Sequence, residues 1–461
     1  MSDQDSNYLN KGEFNSFAAS GFGQNMIIGV VNSFMLYFYT DIFLIPTLAA
    51  TTLMFVARIW DIILTPIVGN IVDKTRTRWG KLKPYLLISI IPLAVITILL
   101  FYAPKLTLTG KLIYAYATYL AFGLIYTISD VPFWGLASVM TPNPKERTRL
   151  ISFSRTFHFI GNGLPVAIVP VIIYLAGGNL KSGYFFSGVF IGIVGAALFT
   201  LSITGTKERC VFNEKKPTIM ENLHFFKVNK PLQTVFIANI LGFGQGLSVL
   251  ASMYIATYLL GNSNYNALVV AATGVSGYFG MLMTPSLLKK FNYKKLYYIC
   301  AAVGIFSFIL LYSAGYSLFA LLGCLFISGF PLGIIGNINF AMIADSIDYV
   351  EWKTGKRTEG ISISMQSLMI KLISALQITY IAFILSQIAF KQPIEIDGVI
   401  QIQEQSAYTL TKFFQAIVFT PIAGWLIGAL VMSRYRYVGE MKQQAQKELA
   451  EIRKSKEAAF N

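Results

Sequence analysis

The chain has 461 residues, of which 55% are hydrophobic and only 13% are charged. Because an average soluble domain has roughly 25% charged residues, this composition excludes an ordinary soluble globular protein and indicates that lipid surrounds most of the chain. The net charge of +15 does not indicate a nucleic-acid partner, since the Lys and Arg residues lie in short breaks between apolar runs rather than on one solvated face.

The N-terminal segment, residues 1–16, is polar and acidic. It lacks the basic start and short apolar core of a cleavable signal peptide, so we expect the first apolar helix to direct membrane insertion. Twelve apolar runs follow, each long enough to cross ~30 Å of hydrocarbon as a helix of ~20 residues. A β-barrel would instead show alternating segments of ~10 residues. We therefore predict an all-α membrane protein with these spans: 17–40, 46–72, 84–103, 111–141, 150–176, 182–204, 232–259, 265–287, 296–314, 317–345, 359–390 and 408–432.

The distribution of Lys and Arg predicts the orientation of these spans. If both ends face the cytoplasm, each inner loop carries three to six Lys or Arg, and seven more follow residue 432. The outer loops then carry only four: Lys105, Lys111, Lys181 and Lys391. This asymmetry is the positive-inside pattern. It predicts a multi-pass protein of the cell membrane with cytoplasmic N- and C-termini.

Three short motifs of the first half recur in the same order in the second half. They are SGFGQNM and LGFGQGL at 20–26 and 241–247, Leu64-Thr65-Pro66 and Met283-Thr284-Pro285, and ERTRLISFS and KRTEGISIS at 146–154 and 356–364. Two parallel six-helix repeats are the architecture of major-facilitator transporters, whose substrate site lies between the halves near the bilayer midplane. The predicted parts are a cytoplasmic tail (1–16), a six-helix bundle (17–204), a central cytoplasmic loop (205–231), a second bundle (232–432) and a cytoplasmic tail (433–461).

Five charged residues stand out within the predicted spans, where a mid-bilayer charge costs at least ~2.5 kcal/mol. They are Arg58, Asp61, Asp130, Arg155 and Lys371. Arg58 and Asp61 lie three apart and Thr65 lies four residues further on, so all three share one face of the second helix. This face predicts either a cation or proton site or an Arg58–Asp61 structural pair that holds helices together.

Asp130 and Trp134 lie four apart on the fourth helix and predict a sugar-binding face. A carboxylate accepts hydrogen bonds from two hydroxyls, and an indole packs on the apolar face of a pyranose; alone, Trp134 would more often face lipid or the core. Arg155 and Lys371 lie in the fifth and eleventh helices, which follow from the two copies of the third repeated motif. We expect both to line the shared cavity, where they donate hydrogen bonds to substrate hydroxyls or neutralise the carboxylates.

The segment 69–84, GNIVDKTRTRWGKLKP, resembles the inner-gate motif of major-facilitator proteins. Gly69 would permit close helix approach, and Asp73 would pair with a basic residue or a helix N-terminus, while Arg76 and Arg78 supply positive charge. The alternative is a solvated loop that only sets topology.

Five motifs together resemble the glycoside–pentoside–hexuronide:cation symporters, the melibiose-carrier group. They are FYTDIF at 38–43, VARIWD at 56–61, TRTRWGKLKP at 75–84, YTISDVPFW at 126–134 and IADSIDYVEWKTGKRTEG at 343–360. The resemblance implies that Asp130 binds sugar with help from Trp134, Arg155, Lys371 and Trp352. It also implies a cation site at Asp61, Thr127 and Ser367, to which the helix pattern adds Thr65.

Two pairs of residues depart from the melibiose-carrier pattern. A Lys–Asp pair is replaced by Gln24-Asn25, which leaves Asn25 as the polar substrate contact, and an Asn–Asp pair is replaced by Leu64-Thr65. The cation site thereby loses one of two carboxylates. Na⁺ coordination by Asp61 and nearby hydroxyls, proton transfer by Asp61, and uncoupled transport all stay open, as does the identity of the sugar.

The predicted function is import of a glycoside, pentoside or hexuronide in symport with Na⁺ or H⁺. The alternatives are a non-sugar solute, such as an amino acid or a drug, and cation-independent sugar transport. An enzyme is not expected, because the sequence shows neither a nucleophile with a base nor a metal cluster; Cys210, Cys300 and Cys324 are scattered and the two histidines add no ligand pattern. We expect no cofactor beyond the coupling cation, no nucleic-acid partner, and a monomer in the lipid bilayer. The short tail predicts no phosphotransferase-type regulation.

Overall fold

The computed structural model describes residues 8–75, 77, 80–209, 226–355, 359–397 and 399–460. Long helices dominate these residues. The first six are α1 (Lys11–Tyr37), α2 (Thr47–Lys74), α3 (Lys83–Leu100), α4 (Leu108–Met140), α5 (Pro144–Leu175) and α6 (Leu180–Phe199). The following seven are α7 (Lys230–Leu241), α8 (Asn266–Leu288), α9 (Tyr293–Ala314), α10 (Leu318–Thr354), α11 (Glu359–Gln387), α12 (Ala407–Met432) and α13 (Gly439–Phe460).

Each predicted span falls on one of the helices α1–α12. Within the described ranges, ten helices are long and apolar enough to cross a membrane, and α7 with the segment Phe243–Leu250 makes an eleventh, bent by 54°. Helix α1 is not among these, and it carries the amide side chains of Gln24, Asn25 and Asn32. The prediction of a multi-span helical membrane protein is therefore confirmed.

The seventh predicted span, 232–259, is not one continuous helix. Three glycines within Gly242–Gly246 follow α7, and glycine is a poor helix former because its backbone loses the most freedom on folding. A 3₁₀ segment, Phe243–Gly246, replaces the α-helix there. The carbonyl of Phe243 accepts a 2.6 Å hydrogen bond from the Gln377 side chain of α11, which satisfies a backbone group released by the break.

The chain divides into two compact units. Unit 1 comprises residues 1–214 and 385–405, and unit 2 comprises 215–384 and 406–461. The boundary at 214/215 falls inside the predicted central loop. The segment 385–405 was not anticipated in unit 1, because the chain enters it from α11 and leaves it into α12.

A small antiparallel hairpin lies within that segment. Strand β1 (Ile394–Ile396) pairs with β2 (Val399–Gln401). Glu395 forms an ion pair with Lys181 at the start of α6, with 2.5 Å between Oε1 and Nζ. Gln392 Nε2 donates 3.0 Å hydrogen bonds to the Ile45 carbonyl and to Thr47 Oγ1. These side chains fix the hairpin to unit 1.

The first helix of each unit ends in a π-helical segment. Phe38–Ile42 follows α1, and Ile255–Leu259 stands near the end of the broken α7 span. The two repeated glutamines also behave alike. Gln24 donates to Ser129 Oγ at 3.0 Å in unit 1, whereas Gln245 donates to Tyr297 Oη at 3.0 Å in unit 2. The internal repeat is therefore present in side-chain contacts as well as in sequence.

Helix α13 packs on unit 2 through its apolar side. Ala445 is fully buried and Leu449 is 2% exposed. Lys442 forms an ion pair with Asp345 near the end of α10 and also meets Tyr293. Burial works against the charge on Lys442, but the hydrogen bond and charge of Asp345 outweigh it and raise the Lys442 pKa. The tail helix is thus part of the folded unit.

Candidate functional site

The charged face predicted on α2 is present in unit 1. Arg58 Nη1 lies 3.7 Å from Asp61 Oδ2, and both side chains are mostly buried. Arg58 also donates to Asn32 Oδ1 on α1 at 3.0 Å. Thr65 Oγ1 donates to the backbone carbonyl of Asp61 at 2.7 Å, so the hydroxyl oxygen lies one helical turn from the carboxylate. This arrangement places the Asn32 and Asp61 side-chain oxygens beside one guanidinium, with the Thr65 hydroxyl bonded to the Asp61 backbone.

Helix α4 forms the other wall around Asp61. A Cβ at Gly123 would lie only 2.5 Å from Asp61 Oδ1, so the absent side chain lets this carboxylate reach the α4 backbone. Thr127, one turn along α4, is 5% exposed. Tyr126 lies close enough to interact electrostatically with Asp61 and Asp130. The predicted cation residues Asp61, Thr65 and Thr127 therefore stand on two adjoining helices.

Trp134 is the centre of an aromatic and cationic group in unit 1. Arg155 Cζ of α5 lies 6.0 Å from the indole centroid, within the range of a cation–π contact. The imidazole of His158, one turn further along α5, stacks on Trp134 with centroids 4.8 Å apart. Asp130 lies one turn before Trp134 on α4 and is half-buried. The structure thus brings Trp134 and Arg155 together and adds His158, for which the sequence pattern gave no signal.

Gln24 and Asn25 have different surroundings although they are adjacent. Gln24 is fully buried, and its side chain holds Ser129 of α4. Asn25 is half-buried and donates to the carbonyl of Gly21 on its own helix at 3.0 Å. Gln24 therefore joins two helices. Asn25 uses its amide nitrogen for a hydrogen bond within its own helix, and that bond does not involve its carbonyl oxygen.

The predicted residues of unit 2 are more dispersed along their helices. Lys371 is half-buried in the middle of α11. Trp352 lies in the last turn of α10, where its indole N–H donates to Glu448 of α13 at 2.5 Å and Lys353 Nζ lies 3.8 Å from its centroid. This contact ties α10 to the tail helix, and a substrate role for Trp352 stays a prediction. Ser367 belongs to α11, but its side chain lies outside what the structure describes.

The predicted gate segment is described only in part. No described atom lies within 4 Å of a Cβ placed on Gly69, so the close helix approach expected there is not observed. Arg76, Arg78 and the side chain of Asp73 lie outside the described residues. The gate assignment of these residues stays a prediction.

The N-terminus of α3 is capped by a residue that the sequence did not indicate. The Glu208 carboxylate accepts backbone N–H hydrogen bonds from Lys81, Leu82 and Lys83 at 2.9–3.0 Å. A carboxylate is favourable at a helix N-terminus because it complements the unpaired N–H groups and the helix dipole. Glu208 therefore caps α3, and the pairing expected of Asp73 stays a prediction.

Comparison with known proteins identifies the family to which this architecture belongs. A family model described as MFS/sugar transport protein matches residues 16–438. The chain belongs to this family. Membership confirms the predicted major-facilitator fold and shows a transporter rather than an enzyme.

Two similar relatives carry symporter or transporter names. The uncharacterized symporter YnaJ of Bacillus subtilis is 32% identical over 75% of this chain and 76% of its own length. The isoprimeverose transporter of Lactiplantibacillus pentosus is 28% identical over 91% of this chain and 88% of its own. These matches confirm the resemblance to the glycoside–pentoside–hexuronide symporters within the sugar-transport family.

The fold also matches solved transporter structures at low sequence identity. The crystal structure of the nucleoside transporter NupG aligns with a TM-score of 0.63 and 12% identity, over 92% of this chain and 100% of that one. At this identity the likeness establishes the fold alone.

Proposed function

We propose that this transporter imports a glycoside, pentoside or hexuronide together with one monovalent cation, Na⁺ or H⁺, by alternating access. The supporting observation is Asp61, a carboxylate inside a membrane-spanning helix, held by Arg58 and seated against Gly123, which precedes the buried Thr127 by one helical turn. A charge in this setting is costly, and a coupling cation gives it a function. Asp61, Thr65, Thr127 and Ser367 are the proposed cation ligands.

The proposed sugar site is built around Asp130 and Trp134. Asp130 accepts hydrogen bonds from substrate hydroxyls, Trp134 packs on the ring, and Arg155, whose Cζ lies 6.0 Å from the indole centroid, donates to hydroxyls. Asn25, Lys371 and Trp352 complete the proposed substrate set. A relative named for isoprimeverose transport supports a glycoside as the substrate class.

The remaining parts of the proposal concern the membrane and the assembly. The Lys and Arg distribution supports cytoplasmic termini, and the chain is proposed to act as a monomer without an organic cofactor. The ion gradient then drives uptake. One inward positive charge contributes about 2.3 kcal/mol per 100 mV, enough for a roughly fifty-fold sugar gradient.

Removing the Asp61 charge tests the coupling. In vesicles with an inward cation gradient, we expect Asp61→Asn to abolish the accumulation of labelled isoprimeverose or methyl glucuronide. Downhill exchange of the same sugar should partly survive. Asp397→Asn is the matched control, since Asp397 is exposed in the hairpin turn with φ 51°, a conformation that Asn also adopts.

The outcomes separate the alternatives. Accumulation by Asp61→Asn equal to that of the parent shows that Asp61 does not carry the coupling ion. Parent vesicles that equilibrate sugar without concentrating it indicate cation-independent transport. Uptake of labelled amino acids or of a hydrophobic cation, without sugar uptake, indicates another solute class.

A further inference from the structure

His158 is buried beside the proposed sugar site but has no role in the function proposed above. The residue is 8% exposed, and its ring meets two aromatic side chains of α4: Trp134 at 4.8 Å with 30° between the planes, and Phe133 at 5.6 Å. The first contact is a stacked pair of the kind that fixes ring orientation. His158 therefore contacts the side chain on which the sugar is proposed to pack.

The orientation of the imidazole is itself fixed at one nitrogen. Nδ1 lies 2.7 Å from the Ser154 carbonyl, one turn back on α5, and 3.2 Å from Ser154 Oγ. The Nδ1–H donates to this carbonyl, so in the neutral imidazole Nε2 carries the lone pair. Among the described residues, none forms a hydrogen bond with Nε2. The ring is thus held from its own helix, and its far edge makes only packing contacts.

Helix α1 provides the space for that far edge. A Cβ on Gly21 would lie 2.0 Å from His158 Cε1 and 2.6 Å from Nε2, which is far inside van der Waals contact. Only glycine at this position lets the imidazole stand where it stacks on Trp134. Gly21, His158 and Trp134 therefore form a continuous stack from α1 through α5 to α4.

We propose that His158 is a positioning residue that sets the plane of the Trp134 indole for sugar binding. The inference rests on the proposed function, because it takes Trp134 as the surface on which the sugar ring packs. His158 acts through Trp134 and does not touch the substrate. Gly21 contributes by leaving room for the imidazole.

Three substitutions test this role. His158→Ala removes the stacking ring, Gly21→Ala forces the ring more than 1 Å from its place without changing its chemistry, and His158→Phe keeps a flat ring but loses the Ser154 hydrogen bond. The matched control is Gly163→Ala on α5, since no described atom lies within 4 Å of a Cβ at Gly163. Calorimetry on purified protein gives separate affinities for the cation and for isoprimeverose or methyl glucuronide, whichever the parent binds.

We expect His158→Ala and Gly21→Ala to weaken sugar binding by about three- to tenfold, the size of a lost aromatic pair. Cation affinity should stay at the parental value in both, because Asp61 and its partners are untouched. His158→Phe should bind sugar within about twofold of the parent, since the stacked ring is retained. Gly163→Ala should match the parent in both affinities.

Two results would overturn the positioning role alone. One is parental sugar affinity in both His158→Ala and Gly21→Ala while Trp134→Ala loses sugar binding. The other is a parallel loss of sugar and cation affinity in all His158 variants, which marks a purely structural residue. Parental sugar binding by Trp134→Ala overturns both the inference and the proposed substrate site.

Discussion

Replacing Gly123 with alanine should displace the Asp61 carboxylate and weaken cation binding. The new Cβ would lie 2.5 Å from Oδ1, whereas ordinary contacts begin at 3.4 Å, so the oxygen must move by about 1 Å. A cation of the size of Ca²⁺ or Na⁺ is held by oxygen at about 2.4 Å. Moving one charged ligand from about 2.4 to about 3.4 Å costs about 2 kcal/mol at an effective dielectric constant near 20.

This loss corresponds to a roughly 30-fold weaker cation affinity. The assay is sugar accumulation in vesicles as a function of the driving cation, and the half-maximal concentration should rise by about that factor. Gly163→Ala controls for a methyl group added to a helix of the same unit, because its Cβ meets no described atom within 4 Å. A parental half-maximal concentration in Gly123→Ala would show that Oδ1 of Asp61 does not bind the ion.

Two further changes probe helix attachment and the hairpin. Gln24→Leu removes the buried hydrogen bond to Ser129 and should lower the free energy of unfolding by about 1–2 kcal/mol. Asn25→Leu should leave the melting temperature near that of the parent while weakening sugar binding. Thermal melts and calorimetry that show the reverse pattern contradict a structural role for Gln24 and a binding role for Asn25. The hydrogen bond from Lys181 lowers the pKa of Glu395. The contact between Glu395 and Lys181 therefore stabilises the folded hairpin at pH values above 4.5, the ordinary pKa of Glu, and this stabilisation is lost as the pH falls through the lower pKa of the folded state. A nitroxide on Val399 should accordingly be more mobile at acid pH than at neutral pH, and Lys181→Gln should abolish the difference; equal mobility at both pH values contradicts it.

The sequence predicted the elements that depend on local periodicity. Long apolar runs between basic breaks located the twelve helices, and the i, i+3 and i+4 spacing placed Arg58, Asp61 and Thr65 on one face of α2, where the ion pair is found. Helical period and charge are local properties, so one sequence suffices to recognise them.

The features that the sequence did not predict depend on contacts between distant segments. The π-helical segments look like ordinary apolar helix in sequence. Glu208 caps α3 from more than one hundred residues away, and buried Gln24 donates a hydrogen bond to Ser129 on α4. His158 offered no pattern at all, since its position depends on the absence of a side chain at Gly21. Tertiary packing decides each of these, and spacing along the chain does not encode it.

Residues 385–405 belong to unit 1 although they lie between α11 and α12 in the sequence. A chimaera that exchanges everything after residue 214 for the corresponding half of a relative would also exchange the piece that seats on Thr47 and Lys181. The hairpin of the relative would then have to pack on the unit 1 surface of this chain, with which it did not evolve. A chimaera that keeps each unit intact therefore needs junctions at three places along the chain, near residues 214, 385 and 405.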